Sequence, residues 1–187
     1  MRALAKHGTW MQRWRVPLGF ACAVLFFVLG RPRPLTLIIG GAVALSGIVL
    51  RAWAVGYLRK NDVLATAGPY AYTRNPLYLG SFLIGLGFTI AAGRLVLGLV
   101  FAALFLGIYV PVMRVESATL AELFGETYRR YAEGAPLFFP QLRPYHDQTR
   151  DVAKFDAKLY RRYREYRAAL GLIVAWALLA LKAFYFK

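Results

Sequence analysis

The 187-residue sequence predicts an all-α fold, a multi-pass integral membrane helical bundle with about five transmembrane helices and cytoplasmic amphipathic helices. Three observations predict it. Hydrophobic residues make up 59% of the chain, against roughly 45–50% in soluble domains, and charged residues only 18%. The apolar residues gather into five runs separated by turn signals. The net charge of +15 falls unevenly on the connections between those runs. This composition excludes an ordinary soluble domain and intrinsic disorder.

The first run, near 16–30, follows a basic segment, Met1 to Arg15, that carries Trp10 and Trp14. A basic start before a short apolar stretch mimics a signal peptide. No small-x-small cleavage site follows, only Arg31-Pro32-Arg33-Pro34, so the run reads as a transmembrane helix with its tryptophans in the interfacial belt. The second run, near 35–58, is long enough to cross a core of about 30 Å. It is interrupted only by Arg51, whose side chain is expected to snorkel to the headgroups. The runs near 77–93 and 95–113 are parted only by Gly93-Arg94, which predicts an antiparallel hairpin. The last run, Ala168 to Phe186, carries Lys182 near its end. Gly40, Ala44, Gly85 and Gly87 permit close helix packing, within the chain or between chains.

With five spans, the connections on one side carry 18 of the 24 Lys and Arg residues. By the positive-inside rule that side, with the N-terminus, is cytoplasmic, and a bacterial inner membrane is the expected compartment. The asymmetry accounts for most of the charge, so no nucleic acid is expected as a partner. Within the basic side, residues 151–167 read as a basic amphipathic helix. Val152, Phe155, Leu159, Tyr163 and Tyr166 form its apolar stripe, and Lys154, Lys158, Arg161, Arg162 and Arg164 lie mostly elsewhere. Such a helix is expected to rest on anionic lipid headgroups. The chain thus divides into a core, 1–147, and an appendage, 148–187, of basic helix and additional span.

Several chemistries drop out. Cys22 is the one cysteine, so no internal disulfide forms, and with only His7 and His146 beside it no metal site is expected. Every acidic residue lies outside the apolar interiors, which argues against a proton- or cation-coupled transporter. Polar chemistry should therefore sit at the cytoplasmic boundary.

Two segments there stand out. In the first, Gly68-Pro69 marks a turn, and Asn75 before Pro76 is biased away from helix while Pro76 opens one. Arg74 and Asn75 then lie beside the unpaired N–H groups of a helix start, which favour an anion. Tyr70, Tyr72 and Tyr78 supply aromatic faces. In the second, Leu120, Leu123, Phe124, Tyr128 and Tyr131 form an amphipathic stripe, and Glu116 sits one turn past Pro111, where a carboxylate can bind a cation at the bundle rim.

Together the segments resemble the superfamily of isoprenylcysteine carboxyl methyltransferases and phospholipid N-methyltransferases. The resemblance rests on Gly68-Pro69-Tyr70, Arg74-Asn75-Pro76-Leu77-Tyr78-Leu79-Gly80, Glu116 to Leu120, Phe124-Gly125-Glu126-Thr127-Tyr128-Arg129-Arg130-Tyr131, and Pro136 to Pro140. It covers roughly Arg51 to Pro140. Asn75 stands where the family often has His, and Ser117 where a second Glu is common. The resemblance implies S-adenosylmethionine as cofactor and a lipophilic acceptor entering from the bilayer. It implies cofactor binding by Gly68, Pro69, Tyr70, Arg74, Asn75, Pro76, Tyr78, Gly80 and Glu116, with Arg74, Asn75 and Glu116 as positioning residues. A related NADPH-dependent membrane reductase and a non-enzymatic lipid-binding scaffold stay open as alternatives.

Overall fold

The computed structural model describes residues 19, 21–59, 63–146 and 154–185. The basic segment Met1 to Arg15, with Trp10 and Trp14, lies outside them, as does most of 16–20. The described residues are helical, without strands. Residues 21–29 form α1. It is followed by α2 (Pro34–Val55), a 3₁₀ turn (Gly68–Ala71), α3 (Pro76–Ala92), α4 (Leu95–Gly134), α5 (Ala157–Arg162) and α6 (Tyr166–Tyr185).

Helices α2, α4 and α6 are long and apolar enough to cross a bilayer, and α3, at 17 residues, falls just short of that length. The chain is an integral membrane protein. Ile38, Leu45 and Val49 on α2 face outward, as do Leu95 and Leu99 on α4 and Ile173 and Val174 on α6. Lipid tails tolerate such a surface and water does not.

Helices α2 and α3 pack so closely that their backbones touch. A Cβ built on Gly47 would lie 2.5 Å from the Gly80 carbonyl oxygen, and one on Gly87 would lie 2.5 Å from that of Gly40. Small residues therefore form this seam within the chain, because no other side chain allows such an approach. Helix α6 lies across the pair, with the Trp176 ring over Gly41 and against Phe88.

The expected hairpin of α3 and α4 is present. Gly93 ends α3 at φ 61°, a conformation glycine adopts without strain. The Arg31 N–H donates to the Ala92 carbonyl at 2.8 Å, and Lys182 Nζ donates to the carbonyls of Phe27 and Val28. Residues 30–33, the Gly93 turn and Lys182 thus share one end of the bundle. The longer, polar connections occupy the other. At roughly 1.5 Å per residue, the 30 residues from Leu95 to Phe124 run about 45 Å, against about 30 Å for the apolar core of a bilayer, so the helix projects beyond it. It breaks at Gly125 (φ 54°, ψ −126°), which turns Tyr128 and Tyr131 back onto the 64–75 segment. The break leaves Leu123 exposed (53%) rather than in the predicted apolar stripe.

The C-terminal segment differs from the sequence reading. No single amphipathic helix covers the described part of 151–167. Helix α5 is one short piece capped by Asp156, whose side chain accepts the Lys158 N–H at 2.8 Å. The chain then bends at Arg164 (φ 57°) before α6 starts. The bend turns Glu165 inward, where a continuous amphipathic helix would have kept it on the polar face. Val152 lies outside the described residues.

Candidate functional site

At the polar end, the start of α3, the projecting half of α4, Leu58, Arg59 and the 63–75 segment line a cavity of about 720 Å³. The 68–75 segment is held in place almost wholly by backbone groups from beyond α4. The Arg74 N–H donates to the Pro136 carbonyl at 2.9 Å, Gln141 N–H to Tyr72 at 3.0 Å and Tyr145 N–H to Ala71 at 2.8 Å. The buried Thr73 hydroxyl donates to the Phe138 carbonyl at 2.9 Å, and the Tyr131 hydroxyl to that of Tyr70 at 2.7 Å. Backbone groups paired this way cannot flex independently, so the loop presents its side chains from a fixed frame. Gly68 (φ 61°) starts the 3₁₀ turn with the Tyr57 ring where a Cβ would point.

Six of the nine residues singled out for cofactor binding line the cavity: Tyr70, Arg74, Asn75, Pro76, Tyr78 and Glu116. Gly68, Pro69 and Gly80 are placed apart from it. The first two shape the turn, and Gly80 belongs to the α2–α3 seam, against Gly47 and the Arg51 stem.

The side chains have distinct commitments. Asn75 is the N-cap of α3, but its amide donates to the Leu137 carbonyl at 2.9 Å. It braces the downstream loop, and a donor is all that task requires. Arg74 makes a 3.3 Å hydrogen bond from Nη1 to the Tyr128 hydroxyl, while its buried Nε has no partner. A half-buried arginine with a spare, buried Nε donor is poised for an anion. Across the cavity the Tyr78 hydroxyl donates to Glu116 Oε2 at 3.0 Å. Glu116 is solvent-exposed, so this carboxylate stays open to a cationic group. Burial, and then the negative charge of Glu116, push the Tyr70 hydroxyl well above its ordinary pKa of 10. Tyr70 therefore remains a neutral phenol.

Arg51 is the correction to the sequence reading. It does not reach for the headgroups. Its Nη2 donates to Glu165 Oε1 at 2.8 Å and its Nε to Oε2 at 3.0 Å, while Nη1 donates to Ser81 Oγ at 2.7 Å and to the Leu77 carbonyl. The fork is thus satisfied at all three nitrogens, and it pins α6 to α2 and α3. A charge inside an apolar run marks a functional position by default. Its partner, 114 residues away, carries no local signal. The pair's side chains are 21% and 13% exposed, so removing one partner leaves the other partly desolvated. Glu165→Gln is therefore expected to lower stability by about 1–3 kcal/mol, read as a fall in melting temperature of the purified protein.

A second cavity, of about 680 Å³ and almost wholly apolar, lies within the bundle between α1, α3, α4 and α6. It shares Arg51, Ser81 and Tyr109 with the polar cavity. Sequence reasoning missed Ser81 and Tyr109, which sit inside apolar runs with no motif around them. Among the described residues, no group of three or more His, Cys, Asp and Glu could hold a metal ion.

Comparisons with known proteins find a matching family profile and several relatives. The family profile described as phospholipid methyltransferase matches residues 35–127. The chain is 36% identical over 143 residues to the cobalt-zinc-cadmium resistance protein CzcN of Cupriavidus metallidurans, covering 73% of this chain and 66% of the relative. It is 35% identical over 94 residues to the nickel-cobalt-cadmium resistance protein NccN of Alcaligenes xylosoxydans xylosoxydans, covering 49% and 44%. It is 33% identical over 81 residues to the protein-S-isoprenylcysteine O-methyltransferase of Schizosaccharomyces pombe, covering 43% and 34%. The match thus spans just under two thirds of the first relative and less than half of the other two. No solved structure matches the chain.

Proposed function

Because the chain belongs to the superfamily of isoprenylcysteine and phospholipid methyltransferases, we propose that it transfers a methyl group from S-adenosylmethionine to a lipophilic acceptor at the membrane boundary. One observation carries the reading. The polar cavity places a half-buried arginine with a buried, unpartnered Nε, an open carboxylate and several aromatic faces together at the rim of an apolar bundle.

That donor set fits the cofactor, which presents a carboxylate, an ammonium, a sulfonium and an adenine. Arg74 would take the carboxylate, with help from the N–H groups at the start of α3. Glu116, oriented by the Tyr78 hydroxyl, would take the ammonium. Tyr70 and Tyr78 offer faces for the adenine or the sulfonium. When bound, the cofactor supplies an electrophilic methyl on a good leaving group. The task left to the chain is alignment, which can be worth about 7–11 kcal/mol. The clamped 68–75 loop provides it by fixing Arg74 and Tyr70 in place. Asn75 serves as a brace in this reading, so the absence of an imidazole costs no positioning.

The polar end, with its cationic connections, is assigned to the cytoplasm, and the membrane to the bacterial inner membrane. The charge distribution supports the first, and the bacterial sources of two relatives support the second. The exposed cations Lys154, Lys158, Arg161, Arg162, Arg164 and Arg167 would rest on anionic headgroups there.

The test is calorimetric titration of the detergent-purified protein with S-adenosylhomocysteine. Binding is expected, and Glu116→Gln should weaken it about tenfold, the lower end for a charge-assisted contact at an exposed carboxylate. No binding at millimolar ligand by folded protein would overturn the reading and make NADPH the next ligand to titrate.

A further inference from the structure

The polar and apolar cavities meet at three residues, and these have very different hydrogen-bonding states. Arg51 is satisfied at every nitrogen and neutralised by Glu165. The Ser81 hydroxyl is also committed, receiving Arg51 and donating to the Leu77 carbonyl at 3.0 Å. Tyr109 differs. Its ring is fixed, stacked on Phe105 at 4.7 Å and edge-on to Tyr78 at 5.6 Å, yet its hydroxyl makes no hydrogen bond among the described residues. A rigid phenol whose hydroxyl has no partner among the described residues thus lines both cavities.

The wall of the apolar cavity carries a second observation. Ala168, Ala175, Leu178 and Leu179 of α6 line it, and α6 lies outside the segment that matches the methyltransferase family profile. The register of α6 is set by Glu165 on Arg51 at one end and Lys182 on the carbonyls of α1 at the other. This wall is therefore supplied by the C-terminal segment, beyond the residues that the profile matches.

We infer that the apolar cavity, walled by α6, holds a long-chain amphiphile with an uncharged hydrogen-bonding head, and that the Tyr109 hydroxyl binds that head at the junction of the two cavities. The head is uncharged because the junction's only cation is already paired and the two other polar groups there are neutral hydroxyls. An anionic head would have to displace Glu165 from a bidentate contact, and a cationic head would find no free carboxylate at the junction, since Glu165 is held by Arg51 and Glu116 lines only the polar cavity, where the proposed function commits it to the cofactor. The inference deepens the methyltransferase reading by naming the class of acceptor, and it rests on that reading for the word acceptor.

Cys22, the chain's one cysteine, lines this cavity and serves as a reporter. The full chain is reconstituted in phosphatidylcholine nanodiscs, and the rate of Cys22 labelling by N-ethylmaleimide is followed with dodecanol, dodecyl phosphate or dodecylamine present. Dodecanol should slow labelling and the two charged probes should not. Tyr109→Phe keeps the ring and removes the hydroxyl, so it should weaken protection by dodecanol roughly two- to tenfold, the worth of one neutral hydrogen bond. Ala175→Trp should fill the cavity and abolish protection, while calorimetric affinity for S-adenosylhomocysteine stays at the wild-type value. No protection by dodecanol, equal protection by a charged probe, or protection indifferent to both substitutions would overturn the inference. Protection with the expected pattern in a protein that does not bind S-adenosylhomocysteine would keep the amphiphile site and remove the methyltransferase reading.

Discussion

Gly47→Leu is expected to prevent assembly of the bundle. The reason is the seam between α2 and α3. Even a Cβ at this position would lie 2.5 Å from the Gly80 carbonyl oxygen and 2.9 Å from the Ile84 nitrogen, and both obstacles are backbone. A side chain could rotate away, but two helices bonded internally along their length cannot yield locally. They must separate. Overpacking a core by a methylene or two costs about 1–3 kcal/mol, and a clash with backbone lies at or beyond the top of that range. Separation would also move Gly80 and the Arg51 stem beside it, and so disturb the junction of the two cavities. The expected result is a fall in melting temperature of more than about 5 °C, or loss of monodisperse protein in detergent. Gly107→Ala is the control. Nothing lies within 4 Å of a Cβ there, so it should be neutral or slightly stabilising through helix propensity. Equal melting temperatures for Gly47→Leu and wild type would show that the seam is looser than described.

Arg74→Ala is expected to weaken S-adenosylhomocysteine binding roughly 10- to 100-fold while leaving the fold intact. Among the described residues the guanidinium makes one 3.3 Å hydrogen bond, to the Tyr128 hydroxyl, and stands 6.0 Å from that ring's centre. Its Nε is buried and unpartnered. A group held this way contributes little to the fold and much to a bound anion, at about 1.5–3 kcal/mol for a charge-assisted contact. Arg74→Lys keeps the charge and loses the planar fork, so it should fall between the two. Calorimetry gives the affinity and thermal unfolding checks the fold. Unchanged affinity in a stably folded Arg74→Ala would remove Arg74 from the site, and a melting temperature that collapses would make it a structural residue.

Much of this molecule could be read from the linear sequence because the membrane simplifies the physics. A helix in lipid satisfies its own backbone, so apolar runs translate almost directly into helices, and Gly93-Arg94 into a hairpin turn. Six cavity residues were also legible, because turn and helix-start signals place Tyr70, Arg74, Asn75, Pro76 and Tyr78 beside one another, and Glu116 follows from the exit of α4. The glycines of the same motif were harder to assign. Gly68 and Gly80 lie in a motif that points to binding, but one is there for its backbone conformation and the other for a helix contact.

The sequence by itself determined the helical class, the membrane-spanning character, the sorting of charge to one end and the residues that converge on the polar cavity. These follow from local chemistry: hydropathy, turn residues and the first positions of helices. Only the tertiary structure decided the fate of Arg51, the break at Gly125, the bend at Arg164 and the meeting of two cavities at Tyr109. Each depends on a partner far along the chain or on a backbone angle that no local pattern encodes. Arg51 looks like a snorkelling cation from its neighbours in sequence. It becomes an internal latch because folding brings Glu165 within 2.8 Å, and a carboxylate at that distance in a partly desolvated site outcompetes the headgroup region for the guanidinium.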